Sequence, residues 1–215
     1  MKNSLNQLRK EYAARALDEG SVSLDPIEQF GHWIQEAIES SLVEPNAMTL
    51  ATASADGRPS ARMVLLKECN EKGFTFFTNY ESRKGRELAQ NPWAALVFYW
   101  PELERQVRVE GRTERVSALE SDLYFQRRPR EARLGAWASR QGEVVASRGV
   151  IEKQMQEVSQ RYMNLDSVPR PDSWGGYRLT PDLLEFWQGR PHRLHDRLRY
   201  QRDDQRVWVI ERLSP

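Results

Sequence analysis

The feature that most constrains the fold is a run of short strand-like segments, separated by tight turns, in the first half of the chain. In each segment, apolar residues either alternate with polar ones or form a continuous run. Each segment is bounded by Gly, Pro, Asp or Asn. The first two flank the turn Asp56-Gly57-Arg58-Pro59 and predict a hairpin. Several short strands joined in this way are typical of a barrel. The predicted strands are residues 48–55, 61–67, 73–78, 93–100 and 105–116.

Helical patterns interrupt and follow these strands. Asp25-Pro26 combines an acidic cap with Pro at the first helical position, which predicts a helix that ends before Pro45. Its apolar face is predicted to comprise Ile27, Phe30, Ile34 and Ile38. Further helices are predicted at residues 81–90, 150–164 and, from a capping box at Ser117 and Glu120, through about Gln126. The Arg-rich residues 127–149 are predicted to be irregular.

Strand patterns return near the end of the chain and are predicted to complete the sheet. They cover residues 176–179, 183–188, 197–201 and 207–212. The expected class is therefore mainly β with flanking helices (α+β). Residues 1–24 are polar without firm periodicity and are expected to form a mobile N-terminal arm, with residues 25–215 as a single domain.

Composition excludes several classes of protein. The 215 residues are 39% hydrophobic and 29% charged, which suits a folded domain without a membrane span. The single cysteine, Cys69, excludes internal disulfides and multi-cysteine metal sites. A net charge of +1 argues against nucleic-acid binding. We see no secretion signal, so a cytoplasmic location is expected. Arg supplies 26 of the 32 basic residues, which either reflects genomic composition or serves anion binding.

Two clusters of cations stand where an anion would be held. The segment from Arg62 to Lys67 carries a cation at each end of a predicted strand, although an ordinary strand with solvated ends has the same pattern. Arg83 and Lys84 follow Ser82 at a predicted helix start. Cations oppose the helix dipole there, so they favour phosphate binding, with a solvated helix face as the alternative.

Two further segments combine aromatic residues with Arg. The stretch Tyr124-Phe125-Gln126-Arg127-Arg128-Pro129-Arg130, with Arg133 nearby, predicts an anionic partner, the alternative being a solvated loop. Residues 185–197 contain Trp187, two His and three Arg. Zinc binding by His192 and His195 lacks an evident third ligand, and a salt-bridged hairpin is the other interpretation.

Seven segments together resemble the pyridoxine/pyridoxamine 5′-phosphate oxidase family, in the order in which that family has them. The resemblance covers roughly residues 5–215. The segments are RMVLLK (62–67), FFTNYESRK (76–84), LERQVRVEG (103–111), YFQRRPRE (124–131), GAWASRQ (135–141), SWGGYR (173–178) and FWQGRPHRLHDR (186–197).

The resemblance implies a flavin mononucleotide (FMN)-binding split β-barrel that forms a homodimer with FMN at the subunit interface. It implies oxidation of pyridoxamine 5′-phosphate and pyridoxine 5′-phosphate to pyridoxal 5′-phosphate, with O2 as acceptor and release of H2O2. The residues that match FMN contacts are Arg62, Met63, Val64, Leu65, Leu66, Lys67, Phe77, Thr78, Arg83, Lys84, Gln106, Gln141, Trp187 and Arg197. Among them, Gln106 and Gln141 are expected to come from different subunits.

The resemblance also assigns residues to the substrate. Those that match are Arg9, Lys10, Glu11 and Tyr12 of the N-terminal arm, Lys67, Tyr124 and Arg128 at the substrate phosphate, and Arg193, Leu194 and His195 at its ring. Arg197, Arg193 and His195 are the expected catalytic residues, Arg197 as the cation that stabilises charge on the reduced flavin. His195 is also a candidate proton acceptor.

Two positions depart from the family pattern, because Ala132 and Gly142 stand where a Ser is common. Each loses one hydroxyl hydrogen bond, worth on the order of 1 kcal/mol, so altered affinity is expected rather than lost activity. Three other functions are weighed against the oxidase. They are another split-barrel flavin reductase, a non-catalytic flavin or pyridoxal-phosphate carrier, and an RNA-binding module, which the charge disfavours.

Overall fold

The computed structural model describes residues 11–13 and 15–215. In this part of the chain the α-helices are α1 (Pro26–Glu39), α2 (Arg83–Gln90), α3 (Ala118–Arg127), α4 (Arg130–Ala138) and α5 (Arg148–Arg161). The strands are β1 (Ala47–Ala53), β2 (Pro59–Leu65), β3 (Glu68–Asn70), β4 (Gly73–Asn79), β5 (Trp93–Trp100), β6 (Arg105–Arg115), β7 (Trp174–Gln188), β8 (Asp196–Arg202) and β9 (Trp208–Arg212). Single 3-10 turns occupy Glu19–Ser21 and Pro191–Arg193.

The strands form one sheet with the order β2-β1-β5-β6-β7-β4-β3, and β8 and β9 extend it from β7. The long strand β7 pairs antiparallel with β4 through residues 174–179 and with β8 through residues 183–188. The sequence predicted two strands here, residues 176–179 and 183–188, with Pro181 in the gap between them. Pro181 lies between these two ladders, inside one continuous strand.

The described residues divide into two compact units. The first unit contains the described residues up to Thr49, together with Ala95–Glu110 and Pro181–Pro215. The second unit contains Leu50–Ala94 and Gly111–Thr180. The expected division into a mobile arm and one domain stays a prediction. Within the described residues, none of the helices has the length and apolarity that crossing a membrane requires.

The first unit is built on an aromatic core beneath α1. Asp25 caps this helix by accepting from the Ile27 N–H, as the sequence predicted. The buried face differs from the prediction, because Ile38 is 52% exposed while Trp33 is buried. Trp33 packs edge-on against Phe186 at 5.1 Å between ring centroids, so the larger aromatic surface decides which stripe faces inward.

The second unit contains a helix that the sequence analysis missed. Residues 127–149 were predicted to be irregular, but α4 runs from Arg130 to Ala138. It packs against α5 in a small core of Leu134, Ala138, Val158, Tyr162 and Val168. The prediction was wrong because α4 has only two buried apolar positions, Leu134 and Ala138, and a single pair gives no visible helical period.

Candidate functional site

A cavity of about 610 Å³ lies in the second unit, a size that suits a small organic ligand. Its walls come from β2, β4 and the helices α2, α3 and α4, with Trp174 of β7. The lining residues are Met63, Val64, Leu65, Lys67, Phe77, Thr78, Asn79, Lys84, Tyr124, Arg128, Ala132, Gly135, Ala136, Ser139, Gln141 and Trp174. Ten of them are residues that the sequence assigned to FMN or substrate.

Lys84 is a buried cation at the wall of this cavity. Its residue surface is 8% exposed, and its Nζ donates to Gln141 Oε1 at 3.0 Å, Thr78 Oγ1 at 3.2 Å and Ser82 Oγ at 3.4 Å. All three acceptors are neutral, and Lys84 has no carboxylate partner within the described residues. Burial, and then the charge of Arg62, lower the pKa of Lys84. An anion in the cavity would offset the free-energy cost of burying the charge of Lys84.

Local geometry at the start of α2 explains how Lys84 is held. The Ser82 side chain caps the helix by accepting from the Gly85 N–H at 3.3 Å. A Cβ on Gly85 would lie 2.2 Å from the Tyr80 carbonyl oxygen, so only glycine allows this tight approach. Lys84 therefore enters the cavity from the first helical turn, whose N–H groups and dipole favour an anion.

Arg62 and Arg83 do not line the cavity and instead meet at the buried Glu87. Arg83 Nε donates to Glu87 Oε1 at 2.8 Å, while its side chain is 65% exposed. Arg62 donates to Thr52 and Ser60, and both hydroxyls donate to Glu87 Oε2, at 2.5 Å and 2.6 Å. Glu87 is thus the common acceptor of this polar network, and it lies on α2 three residues after Lys84. Sequence analysis missed it, although its spacing of four residues from Arg83 is a helix ion-pair signal.

The Glu87 network predicts a specific loss of stability in acid. Burial raises the pKa of Glu87, but hydrogen bonds from Ser60, Thr52 and Arg83 outweigh this and bring the pKa to about 2. A depressed folded-state pKa stabilises the fold above the ordinary value of 4.5, and this stability is lost as the pH falls from there towards 2. We expect the free energy of unfolding of wild-type protein to fall across this window more steeply than that of Glu87→Gln.

Chemical denaturation at a series of pH values measures this difference. Glu114→Gln, which changes an exposed carboxylate, is the matched control and should follow the wild type. Equal slopes for wild type and Glu87→Gln would contradict the network.

Arg128 also lines the cavity as a cation, together with Lys67 and Lys84. It lies over the Trp174 ring, with 4.7 Å from Cζ to the ring centroid. Burial lowers the pKa of Arg128, and its Nη1 is buried without a hydrogen-bond partner among residues 11–13 and 15–215. Buried donors are rarely left unpaired, so this group indicates a ligand acceptor. Trp174, for which the sequence predicted no role, is therefore part of the candidate site.

Three parallel aromatic rings form one side of the cavity. Phe77 stacks on Tyr124 with 4.0 Å between centroids and on Trp174 with 5.4 Å. The small residues Ala132, Gly135 and Ala136, which share one face of α4, also line the cavity. This small-residue face leaves room in the cavity, and its existence depends on the helix that sequence analysis missed.

A second group of predicted residues lies in the first unit. Trp187 and His195 approach to 4.6 Å between ring centroids, and Tyr12 meets each of them edge-on at 5.6 Å. A Cβ on Gly189 would lie 2.7 Å from the Tyr12 ring, so glycine permits this packing. Tyr12, Trp187 and His195 thus form one aromatic cluster, although the resemblance assigns Trp187 to FMN and the other two to the substrate.

Arg197 of β8 is fixed by a buried carboxylate. Its Nε and Nη2 donate to the two oxygens of Glu185, at 2.8 Å and 3.1 Å, and its Nη1 donates to the Ser214 carbonyl at 2.9 Å. The hydrogen-bonded Glu185 raises the pKa of Arg197. Arg108 also donates to Glu185, at 3.1 Å. Arg197 is therefore a permanently charged and oriented cation.

The remaining predicted residues are less closely grouped. Gln106 is half-buried on β6, Leu66 follows β2 and is buried outside the cavity lining, and Leu194 is 68% exposed. Arg193 and Glu11 are exposed, and Arg9 and Lys10 lie outside the described residues. Within the described residues, His192 and His195 belong to no cluster of three metal-ligating side chains.

Known families and relatives match nearly the whole length of the chain. A family model described as pyridoxamine 5′-phosphate oxidase matches residues 34–162, and one described as the pyridoxine 5′-phosphate oxidase C-terminal dimerisation region matches residues 174–215. The chain is 60% identical to a pyridoxine/pyridoxamine 5′-phosphate oxidase of Burkholderia lata and 57% identical to one of a Cyanothece species. In both cases the match covers 99% of each chain.

Solved structures agree with the predicted fold class. PhzG of Burkholderia lata, crystallised with tetrahydrophenazine-1-carboxylic acid, matches with a TM-score of 0.88 and 32% identity over 94% of this chain and all of that one. A pyridoxamine 5′-phosphate oxidase-related, FMN-binding protein of Nostoc punctiforme matches with a TM-score of 0.71 and 23% identity, over 90% and 100% of the chains. The predicted split β-barrel class, mainly β with flanking helices, is confirmed. The chain belongs to the pyridoxine/pyridoxamine 5′-phosphate oxidase family.

Proposed function

We propose that this protein is an FMN-dependent oxidase that converts pyridoxamine 5′-phosphate and pyridoxine 5′-phosphate to pyridoxal 5′-phosphate, with O2 as electron acceptor and H2O2 as product. The observation that carries the proposal is that one cavity is lined by two cations that lack a full set of protein partners. Among the residues that the structure describes, Lys84 is buried without a carboxylate partner and Arg128 has a buried N–H without an acceptor. Two anionic groups, the phosphates of cofactor and substrate, would satisfy both.

The residues of the cavity fit FMN as the cofactor. Lys84, at the N-terminal turn of α2, would hold its phosphate, with Gln141 and Thr78 as neighbouring hydrogen-bond partners. The strand residues Met63 to Leu65 offer an extended edge to a flat ring system. When bound, FMN would supply the redox chemistry, a two-electron oxidation at the substrate C4′ carbon with O2 as the final acceptor. With pyridoxamine 5′-phosphate, water would then hydrolyse the oxidised product to the aldehyde and release the nitrogen as ammonia.

The protein's contribution is to hold the substrate and place charge. Arg128, Lys67 and Tyr124 would hold the substrate phosphate, since all three line one cavity. Arg193 and His195 would orient the substrate ring and its 3-oxygen, which gains rate through alignment. Arg197 would present a fixed positive charge to the reduced cofactor. Its charge is partly offset by Glu185, so orientation is as important as charge for this role.

Arg197→Met tests the charge-stabilising role. We expect the turnover number to fall about 100-fold, the size of effect seen when one preorganised donor is lost, while the Michaelis constant changes much less. The matched control is Arg199→Met, two residues along the same strand, where an exposed ion pair to Glu211 is lost instead. Steady-state kinetics with pyridoxamine 5′-phosphate measure both variants. An unchanged turnover number in Arg197→Met would discard this role.

The structural similarity to PhzG raises a second candidate, oxidation of a phenazine precursor. The ligand of PhzG, tetrahydrophenazine-1-carboxylic acid, is a carboxylic acid that contains no phosphate. Arg128 and Lys84 together favour two phosphates in this chain. Peroxide release should therefore follow addition of pyridoxamine 5′-phosphate and be absent with a dihydrophenazine carboxylate. The reverse pattern would assign the chain to the second candidate, and no release with either substrate would favour a reductase or a carrier.

We also propose that the working form is a homodimer. The match of residues 174–215 to a dimerisation region supports this, and the resemblance assigns Gln106 and Gln141 to different subunits of one FMN site. Light scattering coupled to size-exclusion chromatography should give twice the 25.1 kDa chain mass. A monomer that binds FMN and turns over would overturn the dimer proposal.

A further inference from the structure

His195 has an unusual hydrogen-bond partner on one of its ring nitrogens. The backbone N–H of Arg190 donates to His195 Nδ1 at 3.1 Å. A backbone amide can only donate, so Nδ1 must accept and cannot carry a proton while this bond exists. The neutral ring then carries its proton on Nε2. Nε2 has no protein partner within residues 11–13 and 15–215, which leaves this N–H available to a ligand.

Charges and packing around His195 favour the neutral ring. Burial and then the neighbouring Arg193 lower the pKa of His195, while Asp196 raises it. The other groups packed against the ring are Trp187 and Tyr12, whose contacts with His195 are aromatic. Protonation of Nδ1 would also break the bond from Arg190. The neutral form with Nε2–H is therefore the form expected near pH 7.

The turn that carries Arg190 is anchored through Asp196. Arg190 Nε lies 3.3 Å from Asp196 Oδ2, and Arg190 Nη1 donates to the Arg15 carbonyl at 3.2 Å. Asp196 in turn accepts from Arg212 Nη1 at 2.8 Å and from the Leu17 N–H at 3.1 Å. The N-terminal segment, the turn and β9 therefore meet at one carboxylate.

The backbone of this turn is constrained as well. His192 and Arg193 adopt positive φ angles of 57° and 63°, and the Leu194 N–H donates back to the Pro191 carbonyl at 3.1 Å. Non-glycine residues in this region persist only where surrounding contacts hold them. The strained turn thus returns the chain so that His195 faces the amide of Arg190.

We infer that the Arg190 backbone amide fixes His195 as the neutral Nε2–H tautomer, and that Asp196 is the positioning residue that holds Arg190 in place. His195 then serves as a hydrogen-bond donor through Nε2 and not as a proton acceptor. The tautomer is a property of the protein alone. The donor role towards the substrate's 3-oxygen rests on the proposed function.

Nitrogen NMR of histidine-labelled protein, without FMN or substrate, tests the tautomer directly. The chain has three histidines, and the signals of His195 are those lost in His195→Gln. We expect a long-range ¹H–¹⁵N spectrum near neutral pH with a protonated Nε2 and an unprotonated Nδ1. A protonated Nδ1, or averaged shifts from both tautomers, would overturn the inference whatever the protein's activity.

Asp196→Asn tests the positioning role. Because Asp196 raises the pKa of His195, its removal should move the protonation midpoint of His195 to lower pH, and loosening of Arg190 should shift both nitrogens towards tautomer averaging. Asp204→Asn changes an exposed carboxylate as the control. Arg190→Gln is the second variant, and it should cause averaging with the amide retained. Spectra identical to wild type in both variants would remove Asp196 and Arg190 from this role.

Steady-state kinetics of His195→Gln and His195→Ala distinguish a hydrogen-bond donor role of His195 from a proton-acceptor role. Gln can place an N–H near the position of Nε2, whereas Ala cannot. We expect kcat/KM for pyridoxamine 5′-phosphate to fall about 10- to 100-fold in His195→Ala, with most of the loss restored in His195→Gln. Equal losses in the two variants would contradict the donor role. If wild-type protein has no oxidase activity, the proposed function fails while the NMR result stands.

Discussion

FMN is expected to bind Lys84→Met protein about 10- to 100-fold more weakly than wild type, because one charge-assisted hydrogen bond to phosphate contributes roughly 1.5–3 kcal/mol. The same substitution should raise the free energy of unfolding without FMN by about 1 kcal/mol, since Lys84 is a buried cation that no described carboxylate neutralises. Affinity and stability should thus change in opposite directions. Flavin fluorescence titration and denaturant unfolding measure the two quantities.

Riboflavin, which lacks the phosphate, makes this result specific. Its affinity should be nearly equal in wild type and Lys84→Met, so the loss is confined to the phosphate. Lys72→Met, at an exposed lysine, is the matched protein control and should bind FMN as wild type does. An equal loss for riboflavin and FMN would show that Lys84 acts on the fold rather than on the phosphate.

The second large effect is expected for Arg128→Ala. Removing the guanidinium over Trp174 should raise the Michaelis constant for pyridoxamine 5′-phosphate about 10- to 100-fold, with a smaller change in turnover number. The reason is that Arg128 Nη1 is a buried donor without an acceptor in the described part of the chain, so we expect its hydrogen bond to be made to the ligand. Steady-state kinetics at saturating FMN provide the measurement.

Arg127→Ala is the natural control, because Arg127 is the adjacent residue, has the same charge and is exposed. Non-phosphorylated pyridoxamine provides a second comparison, since its weak turnover should be nearly the same in wild type and Arg128→Ala. A Michaelis constant unchanged in Arg128→Ala would remove this residue from the phosphate site. Ala132→Ser restores the hydroxyl that is common at this position of the cavity wall. In contrast to Arg128→Ala, it should increase the affinity for the phosphorylated substrate.

Local signals predicted most of the fold. The strand at residues 93–100 was predicted with its observed bounds, and Asp25 and Ser117 cap the helices expected of them. What failed were features that depend on partners distant in sequence. α4 was missed because its helix is stabilised by packing on α5 rather than by its own pattern. β7 was divided at Pro181 because nothing local reveals that its two halves pair with different strands.

The cavity was predicted in the same uneven way. Met63, Lys84, Tyr124 and Arg128 were identified from their segments, and all four line one cavity. The residues that support them were not identified. Glu87 and Glu185 are ordinary acidic residues in the sequence, and only the fold shows that each is buried against two arginines. Arg62 and Arg83 both pair with Glu87 and do not line the cavity. Their assignment to FMN therefore stays a prediction.

Anaerobic reduction of the bound cofactor tests the central claim most directly. Protein loaded with FMN is mixed without oxygen with one equivalent of pyridoxamine 5′-phosphate, while the visible absorption of oxidised flavin is followed. We predict that this absorption bleaches and that pyridoxal 5′-phosphate forms in equal amount to the flavin reduced. Flavin that binds but stays oxidised with both pyridoxamine and pyridoxine 5′-phosphate would contradict the account.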